Sequence, residues 1–173
     1  MSEVIDLNYI KKEQERFAKH LETTKGIKYQ QGNLKITEGQ ILHLQSELFE
    51  VLNETKIHKE YDNDVDRNKL LEELSDCLSC IGNIANSIDV DLVINTEIRQ
   101  VSDLIKQFRE LIYDTSRLDK VPKIGVSRRK LKEIIVPNFI NMVYSLGFNL
   151  DELKEAYFSK MKKNYLNPKF MES

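Results

Sequence analysis

Glu47 and Glu50 stand three residues apart in SELFEVLNE, and Glu73 and Asp76 repeat that spacing in EELSD. On a helix of about 3.6 residues per turn each pair projects from one face, roughly 60° apart. With Glu47 as zero, Leu44, Leu48 and Leu52 fall about 60° to 140° round and Glu50 near about −60°. With Glu73 as zero, Leu70, Leu74, Leu78 and Ile81 fall at about the same 60° to 140°, and Asp76 again near about −60°. Both helices therefore carry two acids along one edge of an apolar stripe, and side-by-side packing would bring four carboxylates to the rim of the core. Like charges so placed repel unless they are protonated or bind cations. An oxygen-only donor set suits Mg²⁺, with Mn²⁺ as the alternative, and helical bundles hold such ions between facing helices. One E-x-x-E pair is ordinary on a solvated helix. Two pairs at matching offsets on successive helices put metal binding level with that plainer reading, and spacing alone does not decide between them.

The elements that must position these acids read as helices. Ile5, Ile10, Phe17 and Leu21 mark a first amphipathic helix, broken by a loop that holds Gly26 and Gly32. Thr37 with Gln40 forms a capping box that opens a second helix through Ile41, Leu44, Leu48 and Leu52 towards Tyr61. Asp66 is an N-cap for a third through Leu70, Leu74, Leu78, Ile81, Ala85 and Ile88. A fourth follows through Ile98, Val101, Ile105, Phe108 and Ile112. Ser127 caps a fifth through Leu131, Ile134 and Ile135, where Pro137 must kink or restart the helix and Gly147 ends it. Asn149 with Glu152 caps a sixth through Leu153, Tyr157 and Met161. The expectation is an all-α bundle of about six helices, with no significant sheet, over a single domain spanning 1–173.

Composition supports that count. The 173 residues, 20.3 kDa, suit one domain. Glycine and proline number 6 and 3, far below the roughly 12% of average chains, which disfavours turn-rich sandwiches, barrels and propellers. The charge, 26 − 28 = −2, gives no electrostatic reason to expect nucleic acid as a partner. No apolar run is long enough for a membrane span, the opening residues do not form a secretory signal, and two cysteines fit a reducing cytoplasm.

Several other patterns carry less. Asp62, Asp64, Asp66 and Glu73 occupy four places of an EF-hand, but Arg67 stands where that loop needs glycine. Cys77 and Cys80 lie mid-helix without a second ligand pair, and read as small buried residues. His20, His43 and His58 are scattered without a companion nucleophile. The run RRKLK at Arg128–Lys132 reads as a solvated helix face.

The wider pattern, E-x-x-E, about two dozen residues, then E-x-x-D, resembles the all-α nucleoside triphosphate pyrophosphatases, the MazG-like superfamily. Within it, the chain is similar to the dimeric dUTPases of phages of Gram-positive bacteria, some bacteria and protozoa. The likeness covers Glu47–Asn86 and resumes in LGFNLDELKEAYFSKMKKN. The resemblance implies Mg²⁺-dependent cleavage of dUTP to dUMP and pyrophosphate by a metal-assembled water attacking the α-phosphorus. It implies Glu47, Glu50, Glu73 and Asp76 as metal ligands, with Glu47 or Glu50 also accepting the proton of the water. Lys59, Lys160 and Asn164 become phosphate contacts; Gln14, Tyr61 and Cys80 take positions against base and sugar. Lys160 and Asn164 lie within about 40° of Leu153 round the last helix, facing inward. Asn86 matches without a role.

Departures surround the pocket. Tyr61 stands where the family usually has Trp, and Cys80 where it often has Phe. Asn167 and Lys169 stand where it continues to an Arg, whose two-pronged grip a Lys copies only as a point charge. These make pyrophosphate release firmer than uracil preference, and leave two alternatives: a related pyrophosphatase of broader base range, or a helical regulatory protein on the same fold. Further expectations are a homodimer acting on a deoxynucleoside triphosphate, dUTP favoured, in the cytoplasm of a bacterium or phage-infected host, without nucleic acid or membrane. A regulatory protein partner is compatible with the resemblance but does not follow from the residues, and the region 91–146 is the least informative.

Overall fold

The computed structural model describes residues 1–27, 33–120 and 123–171; Gly32 of the first loop lies outside them. The helices are α1 (Asn8–Lys25), α2 (Glu38–Thr55), α3 (Arg67–Ser87), α4 (Leu104–Ser116), α5 (Ile124–Lys130), α6 (Val136–Ser145) and α7 (Leu150–Leu166). One turn over Leu131–Ile135 joins α5 to α6, so the two run on as one rod and the expected six-helix count holds among the described residues. No helix is long and apolar enough to cross a membrane.

Caps at three of the starts act as the sequence indicates. The Thr37 hydroxyl accepts from Gln40 N while the Gln40 side chain accepts from Thr37 N; Asn149 and Glu152 repeat that exchange. Asp66 accepts from Lys69 N and opens α3. Each satisfies backbone N–H groups that a helix start leaves without intrahelical partners. At the other end of the fifth rod, Gly147 takes φ +88°, a left-handed conformation that a side chain would strain.

Helix α3 is the axis of the bundle. Leu74, Cys77, Leu78 and Ala85 are fully buried on it, and α1, α2 and α7 pack around it. Gly82 sets how closely α1 approaches: a Cβ there would come within 2.5 Å of Ile10 Cγ2 and 3.0 Å of Gln14 Cγ. The basic run is not simply solvated. Arg128 Nε donates to Ile88 O at 2.7 Å, satisfying a carbonyl at the end of α3, and Lys132 Nζ meets both carboxylate oxygens of Asp91 at 2.9 Å.

Four boundaries differ from expectation. Ile5 belongs to a strand, β1 (Glu3–Asp6), paired antiparallel with β2 (Val93–Thr96), with Ile5 opposite Ile94. Each strand is only four residues long, too short for alternation to declare itself. Helix α2 stops at Thr55, where Lys56 turns left-handed at φ +57°, well before Tyr61. Helix α4 begins after Asp103, which caps it, so Ile98 and Val101 lie outside. Ser127 is not a cap; it is buried inside α5. Pro137 stands in the first turn of α6, where the rod restarts as α-helix after the Leu131–Ile135 turn, in line with the expectation. It has no N–H to give the carbonyl four residues back, and just before it the backbone widens by one residue: Val136 N–H donates to Leu131 O, five residues back.

Candidate functional site

Glu47, Glu73 and Asp76 converge. One carboxylate oxygen from each lies within 4.8 Å of the others, and all three residues are half-buried. They come from adjacent helices, Glu47 from α2 and the other two from α3, because the leucine stripes beside them interlock in the core. Burial, then the charges of Asp76, Glu47 and Glu50, pushes the Glu73 carboxyl up to about 7. Asp76 rises to about 6 mainly through burial, with Lys160 opposing the shift and Glu47 adding to it. Burial, with like charge beside it, disfavours the anionic form of both carboxylates. Hard oxygen donors in that condition fit Mg²⁺ or Mn²⁺.

Glu50, expected as a fourth member, is exposed and stands outside this tight group. Helix α7 packs on α3 and roofs the Asp76 side, where Lys160 Nζ sits 3.3 Å from Asp76 Oδ2 and 2.9 Å from Glu72 Oε1. His43, one turn before Glu47, places Nε2 3.4 Å from Glu47 Oε1, and that contact raises the imidazole pKa.

Beside the acids lies a cavity of about 380 Å³. Glu47, Asp76, Lys160 and Asn164 line one part; Gln14, Asn83 and Cys80 line another. Gln14 is buried. Its Oε1 accepts from the Tyr157 hydroxyl at 2.6 Å, and its Nε2 donates to Asn83 Oδ1 at 3.0 Å. Asn164 Nδ2 donates only to Met161 sulfur, at 3.8 Å, among the described residues. Cys80 is a free, buried thiol, as is Cys77, and burial pushes both well above the ordinary thiol range.

The C-terminal segment closes one side. Phe170 O accepts from His20 Nε2 at 3.0 Å and from Thr24 Oγ1 at 3.1 Å, and the Phe170 ring meets Phe17 edge-on at 5.4 Å. This brings Lys169 and two aromatic rings to the cavity.

Two expected residues are not brought there. Lys59 lies in the α2–α3 connection, where the Asp64 N–H first, then Lys56 and last Lys59, lower the Asp62 carboxyl, and it does not line the cavity. Tyr61 is 87% exposed in the same connection and also lies off the lining. The reason is the early end of α2: the chain turns away at Lys56 and takes both residues with it. That connection is no EF-hand either, since Asp62 pairs with Lys56 and Asp66 is spent on the cap of α3. Asn86 faces elsewhere and donates to Lys11 O at 3.0 Å.

Sequence reasoning passed over Asn83, Glu72, Phe17, Phe170 and the role of His43. For His43 a signal existed, the i,i+4 spacing to Glu47. Asn83 lies seven residues after Asp76, two helical turns along the same face, and could have been found by that count.

The family described as dUTPase matches this chain over residues 6–169. No curated protein matches it.

Proposed function

The chain belongs to the all-α dUTPase family and is a dUTP diphosphatase, and on that premise we propose how its cavity carries out the hydrolysis. Glu47, Glu73 and Asp76 hold Mg²⁺, with Mn²⁺ as the alternative, and Glu50 supports them from the rim. The observation that carries this reading is the convergence of three half-buried carboxylates within 4.8 Å, two of them with raised pKa values. A bound ion supplies a Lewis acid that neutralises triphosphate charge and makes a nearby water more acidic.

The residues then divide the work. Glu50, free of the tight group, accepts the proton of the water that adds to the α-phosphorus; the bond to the β-phosphate oxygen breaks, leaving dUMP and pyrophosphate. Lys160 already sits between Asp76 and Glu72, so a small rotation of its flexible stem carries the ammonium to the triphosphate. Asn164 and Lys169 extend that polar side. Gln14 and Asn83 face the base, Cys80 the sugar, while Phe17 and Phe170 supply apolar area in place of Tyr61. Lys59 and Tyr61 take no part.

The enzyme works as a homodimer in this reading. Between α2 and α4 runs an apolar groove of about 320 Å³, where Phe49, Ile105 and Tyr113 are roughly half exposed or more. Apolar area of that kind favours a second copy as its cover.

Purified protein with Mg²⁺ should release pyrophosphate and dUMP from dUTP, and Asp76→Asn should abolish this while the helical circular dichroism signal stays. Full turnover by a folded Asp76→Asn protein would reject the assignment.

A further inference from the structure

The wall of the cavity around Gln14 has a fixed hydrogen-bond polarity. An amide side chain offers an acceptor at one end and donors at the other, and which end faces a ligand is decided by its neighbours. Here the neighbours leave one choice. The contact between Tyr157 and the inner end of Gln14 is 2.6 Å, a length typical of O–H···O and shorter than the usual N–H···O range. The Tyr157 hydroxyl has one proton, and its other acceptor within reach, Ile10 O, lies at 3.5 Å. Tyr157 therefore donates to Gln14 Oε1. The outer end of Gln14 is then the NH₂ group, and one of its protons goes to Asn83 Oδ1 at 3.0 Å. With that oxygen occupied, Asn83 is turned so that its own NH₂ has no protein acceptor among the described residues, and Asn83 lines the cavity. Gly82, next along α3, allows the close approach of α1 that makes the chain of contacts, since a Cβ there would strike Ile10 and Gln14.

The geometry points to Tyr157 as a positioning residue that sets base choice: through Gln14 and Asn83 it fixes a row of N–H donors on the cavity wall, complementary to ring carbonyls and opposed to an exocyclic amine. At position 4 of the pyrimidine ring such donors meet the O4 carbonyl of uracil, where cytosine presents an NH₂ group that faces them donor to donor; the uracil N3–H, itself a donor, lies beyond this pairing. The inference rests on the assignment of this cavity as the nucleotide site and adds the residue that orients its reading groups. Tyr157 is fully buried, so it acts without touching the nucleotide.

The test uses the full chain with Mg²⁺ and compares kcat/KM for dUTP and dCTP. Tyr157→Phe removes one oxygen from a buried ring and leaves the Gln14 amide free to turn. The dUTP:dCTP ratio should fall at least about tenfold, the scale of one misplaced hydrogen-bonding group, chiefly through KM for dUTP, with the helical signal retained. Asn83→Asp keeps an acceptor for Gln14 but replaces the donors by a carboxylate oxygen, and should move the ratio further towards dCTP. That variant carries the test if Tyr157→Phe does not fold, because added negative charge weakens both triphosphates alike and cancels in the ratio. An unchanged ratio in the folded variants overturns the role of Tyr157. A wild-type enzyme that hydrolyses dUTP but does not discriminate against dCTP overturns base reading by this wall altogether. Loss of neither activity nor ratio on Gln14→Ala would instead remove the nucleotide from this cavity.

Discussion

The two sides of α2 offer a direct comparison. One side gives Glu47 to the carboxylate group; the other, about 200° round at Phe49, gives an apolar residue to the groove with α4. Both sides are energetically incomplete, in opposite ways. On the acidic side, burial and mutual repulsion raise Glu73 to about 7 and Asp76 to about 6. On the apolar side, Phe49, Ile105 and Tyr113 leave large hydrophobic area in water. The lesson is that incompleteness has a chemical sign: clustered anions call for cations, and bare carbon calls for more carbon.

The largest expected effect separates stability from function on the acidic side. Glu73→Gln should lower dUTP turnover by about a thousandfold or more, as loss of a metal ligand would. In metal-free solution at pH 7.5 the same variant should melt higher, by about 2–4 °C for each 1 kcal/mol of repulsion relieved. Activity assay and calorimetry on one sample check both; a lower melting point would show that the Glu73 charge is already balanced. On the apolar side the sign reverses: Phe49→Glu with Ile105→Glu should convert a dimer to a monomer in light scattering while leaving each chain folded. Persistence of the dimer would place the interface elsewhere.

A third effect is the pH dependence of the metal-free fold. Glu73 and Asp76 have folded-state pKa values above their unfolded ones, so the folded chain binds more protons between the two. Their contribution to stability is present in full below about pH 4 and is lost as pH rises through about 6 and 7. Urea midpoints should therefore fall from pH 5 to pH 7.5, and saturating Mg²⁺ should restore them at pH 7.5. Glu73→Gln with Asp76→Asn should flatten that dependence, which the groove substitutions should not touch.

The smallest effect is packing. Gly82→Ala forces α1 outward at Ile10 and Gln14, and should cost about 1–3 kcal/mol, the usual range for overpacking. It should also weaken dUTP binding through Gln14, whereas Gly125→Ala, with open space around it, should do neither.

Much of the acidic side was legible because one rule, the helical period, fixes both the leucine stripe and the acids beside it. Glu47, Glu73 and Asp76 follow from that rule. Glu50 follows from the same rule but is exposed and stands outside the 4.8 Å group, a difference in depth that the helical period alone does not encode. Lys59 and Tyr61 moved out of reach for a local reason that periodicity cannot register: a non-glycine residue, Lys56, takes the left-handed conformation that ends α2. The strand at Ile5 needed a partner 89 positions away at Ile94, invisible in a four-residue segment. Asn83 and Phe170 matter only through contacts with α1, and the apolar groove draws on α4, from the stretch where sequence said least.

The central claim is that Glu47, Glu73 and Asp76 gather to hold a divalent cation beside a triphosphate. It is tested most directly by calorimetric titration of Mg²⁺ into the full chain at pH 6.5, with and without a non-hydrolysable dUTP analogue, in buffers of different ionisation enthalpy. The account predicts saturable binding that tightens with the analogue and releases protons, because the ion displaces those held by Glu73 and Asp76. Binding without proton release, or no binding in the presence of the analogue, would contradict it.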